Sequence, residues 1–163
     1  MKPRRIETLL PIAIVLLDQI AKAAVRARLP LHASVSIVPG LLDFTHVRNT
    51  GAAFGLLNVA DFPFKSVVIA VVATAALVGV GIFAAGLAHH QRVARVGLAL
   101  ILGGAAGNLL DRVIAGSVVD FVDVYWREYH FWAFNVADSA ITVGVGAMIL
   151  DMLGVGAHVS KTA

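Results

Sequence analysis

The chain of 163 residues contains no cysteine. A disulfide scaffold, a thiolate metal site and a cysteine nucleophile are therefore excluded together. Charge is also scarce, because Asp, Glu, Lys and Arg make up only 14% of the residues, whereas a soluble domain usually carries about 25%. With 59% hydrophobic residues and a mean hydropathy of +0.86, the composition predicts an integral membrane protein.

Long apolar runs predict the number of membrane spans. A spanning helix needs roughly 20 apolar residues, so four helices would use about half of the chain. We expect one polytopic membrane domain over residues 1–163, all-α in class apart from a small extracytoplasmic β-element. The predicted transmembrane helices cover residues 8–27, 66–88, 96–115 and 136–156.

The connections on one side of the membrane are expected to carry the remaining structure. Residues 34–38 and 41–47 are β-branched segments around a Pro-Gly turn, which predicts a hairpin within an outer β-element at about residues 30–60. Residues 116–133 are predicted to form an outer loop with an interfacial aromatic belt. The predicted belt consists of Tyr125, Trp126, Tyr129, Phe131 and Trp132.

The basic residues indicate both partner and orientation. The net charge is +3, but no basic run is interleaved with aromatic residues, so we expect contact with membrane lipids and not with nucleic acid. The numbers of Lys and Arg on the two sides are nearly equal. Because Lys2, Arg4 and Arg5 are concentrated in the N-terminal tail, their density favours cytoplasmic termini.

Two opposite charges lie inside the first predicted span. A charge at bilayer depth costs roughly 2.5–3.5 kcal/mol on insertion scales, so each is a candidate functional residue. Asp18 and Lys22 are four residues apart in the order that favours a helical ion pair. A structural pair and a role in substrate contact are both open, and we class them as supporting residues.

The third predicted span ends in a polar, glycine-rich segment. Gly103 and Gly107 form a GxxxG pair, for which tight helix packing is the favoured interpretation. An amide, a carboxylate and a guanidinium at one helix end can anchor a polar backbone or headgroup, and Asp111 could also fix Arg112. The candidate site residues here are Gly104, Asn108, Asp111 and Arg112.

Asp120 and Asp138 are the strongest candidates for chemistry. One follows the third span and the other opens the fourth, so both are expected near the same membrane face. Two carboxylates in a low-dielectric site share a proton, as the aspartic protease mechanism requires. Helix capping with Asn135 is an equally open interpretation of Asp138, and a solvated interfacial acid is the alternative for Asp120.

Other hydrolytic schemes fit poorly, since the chain has neither a His-Glu-x-x-His zinc motif nor a Gly-x-Ser-x-Gly elbow. Acid chemistry would then rest on aspartates, without a metal or organic cofactor. The rival hypothesis is a proton-coupled transporter or channel in which Asp18, Lys22, Asp120 and Asp138 form a relay. A non-catalytic membrane assembly protein is a third possibility.

Five segments, in order along the chain, resemble the bacterial lipoprotein signal peptidases, or signal peptidases II. They are Asp18-Gln-Ile-Ala-Lys22, Asn49-Thr-Gly-Ala-Ala-Phe-Gly55, Gly103-Gly-Ala-Ala-Gly-Asn-Leu-Leu-Asp-Arg112, Val118-Val-Asp-Phe121 and Phe134-Asn-Val-Ala-Asp-Ser-Ala-Ile141. One departure is Trp132, at a place where family members commonly have proline.

The resemblance implies a multi-pass inner-membrane aspartic endopeptidase with cytoplasmic termini and an active site towards the periplasmic face. It would remove the signal peptide from a diacylglyceryl prolipoprotein immediately before the lipidated cysteine, and globomycin would inhibit it. A monomer without cofactors is expected. The implied catalytic residues are Asp120 and Asp138, with Asn49, Gly51, Asn108, Arg112 and Asn135 lining or bracing the site.

Overall fold

The computed structural model describes residues 3–51, 64–87 and 91–154. Each of the four predicted helical segments corresponds to a helix of the structure. Where both ends are described, the observed and predicted ends differ by at most five residues. The predicted end of the last helix, at residue 156, lies outside the described residues. The helices are α1 (Pro3–Arg28), α2 (Lys65–Gly86), α3 (Arg92–Ala115) and α4 (Val136–Met152).

Three of these helices are long and apolar enough to cross a membrane, judged over the described residues. The segments Arg5–Arg28, Lys65–Gly86 and Arg92–Ala115 contain stretches of 18 residues with mean hydropathies of 1.7, 2.7 and 1.6. The described part of α4 has 17 residues, which is fewer than the roughly 20 that a spanning helix needs.

Helix α3 lies at the centre of the helical layer and packs against α1, α2 and α4. Its glycines allow close approach, because a Cβ atom on Gly103 would lie 2.9 Å from the Cα of Pro11 and one on Gly107 would lie 2.9 Å from Asp18 Oδ2. Both neighbours belong to α1. The interpretation of the GxxxG pair as a helix-packing motif is therefore confirmed.

A four-stranded antiparallel sheet caps this layer, with strand order β1-β2-β3-β4. The predicted hairpin is confirmed, and Gly40 supplies the left-handed backbone of its turn with φ 81°. The strands are β1 (Ser34–Val38), β2 (Leu42–Asn49), β3 (Val118–Trp126) and β4 (Tyr129–His130).

The prediction of an outer loop over residues 116–133 is wrong for the larger part of that segment, which forms β3 and β4. Strand β3 pairs with β2, and β4 continues the sheet beyond it. The aromatic side chains cluster around the β3–β4 turn, where Trp126 and Tyr129 are mostly exposed. Tyr125 stacks on His130 with ring centroids 4.8 Å apart.

An apolar cluster fixes the sheet on the helices. Val25 of α1 is buried with Val119 and Phe121 of β3. Phe121 also meets Phe44 edge to face, with ring centroids 6.2 Å apart. These contacts hold the start of β3 against the end of α1. Asp120 lies between Val119 and Phe121 and points to the opposite face of the strand, which is also buried at this end of β3.

Candidate active site

Asp120 lies within the buried half of β3, with only 4% of its surface exposed. Both carboxylate oxygens accept hydrogen bonds from amide side chains. Asn49 Nδ2 donates to Oδ2 over 3.0 Å, and Asn135 Nδ2 donates to Oδ1 over 2.7 Å. Asn49 reaches this position because it pairs with Val118 in the register of β2 and β3. The alternative of a solvated interfacial acid is therefore wrong.

Asp138 lies in the first turn of α4, where it completes a capping box. Asn135 Oδ1 accepts from the Asp138 backbone N–H over 3.0 Å, and Asp138 Oδ2 accepts from the Asn135 N–H over 3.2 Å. The capping interpretation is confirmed. The other oxygen, Oδ1, accepts from Asn108 Nδ2 over 2.8 Å, so capping leaves half of the carboxylate available to the site.

Asn135 connects the two carboxylates and is fully buried. Its backbone and side-chain oxygen form the cap with Asp138, while its Nδ2 donates to Asp120 Oδ1. The same Nδ2 also lies 3.2 Å from Asn108 Oδ1. Asn135 thus fixes the position of Asp120 on β3 relative to Asp138 on α4.

Burial raises the pKa of Asp120 from its ordinary value of 3.8 to about 6, and the nearby charge of Asp138 acts in the same direction. The hydrogen bonds from Asn49 and Asn135 act against this rise, because they favour the ionised carboxylate. A carboxyl group with this pKa exchanges a proton near neutral pH, as general acid–base catalysis requires.

A second polar cluster lies directly beside the first, between α1 and α3. Lys22 Nζ contacts Asp18 Oδ2 at 2.7 Å and Asp111 Oδ2 at 2.8 Å. The ion pair predicted for Asp18 and Lys22 is confirmed, and all three side chains are buried. Asp18 Oδ1 accepts from the Ala137 backbone N–H over 3.0 Å, which attaches α1 to the start of α4.

Asn108 joins the two clusters. Its Oδ1 accepts from Lys22 Nζ over 2.9 Å and its Nδ2 donates to Asp138 Oδ1 over 2.8 Å. Because an ammonium group can only donate, the oxygen of this amide must face Lys22 and the NH₂ group must face Asp138. The buried cation therefore orients a hydrogen-bond donor towards the carboxylate.

Arg112 fixes the backbone around the site and does not pair with Asp111 within the described contacts, contrary to the option raised from the sequence. Its guanidinium donates to the main-chain oxygens of Asn108 and Gly51, both over 3.1 Å. Adjacent residues of a helix point to different sides, so Asp111 turns towards Lys22 instead. Gly51 N–H donates in turn to Asn49 Oδ1 over 3.0 Å.

Gly104 permits the approach of α3 to α4. A Cβ atom there would collide with the main-chain oxygen of Ala137, the residue before Asp138. All eleven predicted site residues are thus placed in one connected region at the sheet end of the helices. Residues 52–55 of the quoted Asn49–Gly55 segment lie outside the described residues.

Two contributors were missed from the sequence. Gln19 donates to Asp18 Oδ2 over 3.2 Å and to Asp111 Oδ1 over 3.1 Å. Its signal was an amide inside an otherwise apolar span, next to an acid already singled out. The backbone N–H of Ala137 is the second contributor, and no sequence pattern reports a backbone donor of this kind.

The site is chemically a pair of buried carboxylates held by amide and backbone donors. Among the residues that the structure describes, no group of three or more His, Cys, Asp or Glu side chains could hold a metal ion. The arrangement can bind a water molecule and a peptide carbonyl and move protons between them.

Comparison of the fold with solved structures places the chain in the class of bacterial membrane enzymes. One solved structure described in those words superimposes with a TM-score of 0.82 and 30% identity, over 96% of this chain and 93% of the other. A second superimposes with a TM-score of 0.81 and 29% identity, over 90% and 92%.

The family follows from sequence comparison. A family model described as signal peptidase (SPase) II matches residues 10–154. The lipoprotein signal peptidase of Geobacter metallireducens is 44% identical over 154 residues, covering 94% of each chain, and that of Geobacter sulfurreducens is 43% identical, covering 94% and 95%. The chain belongs to the signal peptidase II family, whose members are aspartic peptidases.

Proposed function

We propose that this chain is an inner-membrane endopeptidase that removes the signal peptide from diacylglyceryl-modified prolipoproteins, cutting immediately before the lipidated cysteine. The observation that carries the proposal is the buried pair Asp120 and Asp138, bridged by Asn135. Family membership supplies the reaction class. A substrate made of a signal helix and acyl chains also suits a protein whose surface is mostly apolar.

In the proposed mechanism the two aspartates share one proton. The ionised carboxylate accepts a proton from the attacking water, while the protonated one donates a hydrogen bond to the scissile carbonyl oxygen. The proton then passes to the leaving amide nitrogen as the tetrahedral intermediate collapses. Burial of Asp120 and the charge of Asp138 both raise the pKa of Asp120, which favours a shared proton near neutral pH.

The remaining residues hold this pair in place. We assign Asn49, Asn108 and Asn135 to hydrogen bonding of the carboxylates, and Arg112, Gly51 and Gly104 to the surrounding backbone. Asp18, Lys22 and Asp111 form the buried ion cluster that supports Asn108 from the other side. No metal or organic cofactor takes part in this proposal.

The proposed topology has four spans in a single domain, with cytoplasmic termini and the sheet on the periplasmic face. The concentration of basic residues in the N-terminal tail supports this orientation. The exposed aromatic side chains around β4 would lie at the interface and cover the carboxylate pair during turnover. We propose a monomer that globomycin inhibits by occupying the substrate site beside this pair.

The rival transporter hypothesis needs acids distributed through the membrane depth. Asp120 lies on the sheet and Asp138 in the first turn of α4, while Asp18 and Asp111 lie in the halves of their helices nearest the sheet. Asp151, near the end of α4, is the exception. Grouping at one end favours a site that opens to the surface.

The test uses purified protein in detergent and two precursors of the same sequence, one with a diacylglyceryl cysteine and one unmodified. We expect release of the signal peptide from the lipid-modified precursor alone, and inhibition of that release by globomycin. Cleavage of both precursors at equal rates would contradict the substrate assignment. Absence of cleavage, with substrate-driven proton flux in proteoliposomes, would favour the transporter instead.

A further inference from the structure

A groove between α2 and α3 has no role in the function proposed so far. It encloses about 670 Å³, within the range of roughly 300–1,000 Å³ that small-ligand sites occupy. One wall is a stripe of α2 at helical spacing, and the other is the last turn of α3. Its principal lining residues are Val67, Ala70, Val71, Thr74, Arg112 and Val113.

The walls of the groove are mostly apolar. Ser66 and Thr74 are the polar residues of its α2 stripe and lie towards opposite ends of it, and the Thr74 hydroxyl donates to the Ala70 main-chain oxygen over 2.7 Å. The groove extends along α2 from Ser66 to Ala75, which corresponds to about 14 Å of helix. That length is close to one leaflet of the hydrocarbon core, about 15 Å, and so to the depth that one acyl chain occupies.

The polar end of the groove leads to the carboxylate pair. Arg112 and Gly116 line it where α3 ends, two residues before β3 begins. Arg112 donates to the Asn108 main-chain oxygen, and the Asn108 side chain donates to Asp138. Within the described contacts the guanidinium donates to the main-chain oxygens of Asn108 and Gly51, and its other N–H groups are able to bind oxygen atoms.

We propose that this groove holds one acyl chain of the substrate's diacylglyceryl group, with Arg112 facing the ester or peptide oxygens at its polar end. The inference rests on the proposed function, since the scissile bond adjoins the lipidated cysteine. The glyceryl group must then lie beside Asp120 and Asp138, and its chains must leave from there into an apolar channel. The groove begins at that point and has the required direction, length and lining.

The test compares two neighbouring valines of α2 that differ in one respect. Val71 lines the groove and Val72 does not, while their side chains are equally exposed at 62% and 63%. Val71→Trp would fill the groove, and Val72→Trp is the matched control. Each variant is assayed for kcat and KM on two precursors of one peptide sequence, carrying either palmitoyl chains or acetyl groups on the glyceryl oxygens.

For Val71→Trp we expect the KM of the palmitoyl precursor to rise by about tenfold, equivalent to losing burial of roughly two methylene groups. The KM of the acetyl precursor should change by less than about twofold. Val72→Trp should leave both values unchanged. Ala70→Leu, a smaller insertion into the same groove, should produce a lesser rise for the palmitoyl precursor only.

Equal KM values for the two Trp variants on the palmitoyl precursor would overturn the proposal and leave bilayer lipid as the occupant. An equal loss on both precursors would also overturn it, because the acyl chain would then not be the part that the groove binds. Neither result affects the proposed function, which fails separately if the unaltered protein does not cleave the palmitoyl precursor.

Discussion

Two buried polar clusters lie side by side in this molecule, and they differ in how their carboxylates are compensated. In the ion cluster, Lys22 places one ammonium group within 2.8 Å of both Asp18 and Asp111. In the carboxylate pair, Asp120 and Asp138 accept hydrogen bonds from amides and backbone, with no salt bridge among the described contacts. The aspartates of the two clusters lie at similar depth, but in the described part of the chain only those of the ion cluster contact a cation.

This difference distinguishes a cluster suited to structural support from one suited to acid–base chemistry. A carboxylate in contact with an ammonium group is stabilised in its ionised form by an opposite charge, whereas neutral amide donors supply hydrogen bonds without that charge. The ion cluster is therefore suited to hold α1, α3 and α4 together. In the proposed mechanism the carboxylate pair keeps a proton that can be exchanged. Asn108 contacts both clusters, so the ion cluster fixes the position of an amide that donates to Asp138.

The largest effect is expected when the carboxylate pair is altered. Asp120→Asn and Asp138→Asn should each lower the rate of signal-peptide release by at least about 10²–10⁴-fold, because a general acid or base is lost. Release is measured with the lipid-modified precursor. Asp123→Asn, in the same strand as Asp120 but paired with His130, is the control and should remain active. Cleavage by either of the first two variants at the unaltered rate would contradict their assignment.

Removing the cation should affect stability most. Lys22→Met leaves Asp18 and Asp111 buried without a partner cation, and we expect a loss of about 3–5 kcal/mol in the free energy of unfolding. Thermal unfolding in detergent measures it. Arg26→Met removes a cation that is 38% exposed and 3.9 Å from Asp111, so its loss should cost less than about 1 kcal/mol. Similar losses in both variants would show that the cluster is not held by its buried lysine.

The contact between α3 and α4 can be altered at Gly104 without changing any charge. In Gly104→Ala the new methyl group collides with the Ala137 main-chain oxygen and lies 2.8 Å from Ile141. We expect a loss of about 1–3 kcal/mol and slower cleavage, because Ala137 precedes Asp138. Gly146→Ala, with open space around its position, should leave stability and activity intact. Equal effects of the two would contradict the packing argument.

The smallest expected effect is on the pH profile. The Asn49 amide favours ionised Asp120, so Asn49→Ala should raise the pKa of Asp120 above about 6. The upper limb of kcat/KM, where the shared proton is lost as pH rises, should move to higher pH by up to about one unit. Arg48→Ala, next to it on the exposed side of β2, should leave the limb in place. A shift to lower pH in Asn49→Ala would contradict the role of this hydrogen bond.

Local patterns were sufficient for the helices and for parts of each cluster. Long apolar runs predicted α1 to α4, the four-residue spacing predicted the Asp18–Lys22 pair, and the Asn-x-x-Asp spacing predicted the cap at Asp138. The ion pair and the cap each depend on residues about one helical turn apart, and the spans depend on composition along one continuous segment. Such interactions can be derived from spacing alone.

The non-local contacts could not be derived in this way. Strand β3 begins with buried Val118 and Val119 and contains two acids, so it lacks the alternation of a half-buried strand. Its partner β2 lies about seventy residues earlier in the chain. The bond from Lys22 to Asn108 joins residues 86 apart. Only tertiary packing brings these groups together, and it alone distinguishes an ion cluster from a carboxylate pair.

The central claim is that the carboxylate pair, and not the ion cluster beside it, holds a proton near neutral pH. Infrared difference spectroscopy of the protonated carboxyl band, recorded as a pH titration, tests it directly. The unaltered protein should show a carboxyl group that titrates near pH 6, the pKa to which burial and Asp138 raise Asp120, and Asp120→Asn should abolish it. The same titration in Asp120→Asn, or a midpoint near pH 4 in the unaltered protein, would contradict the claim.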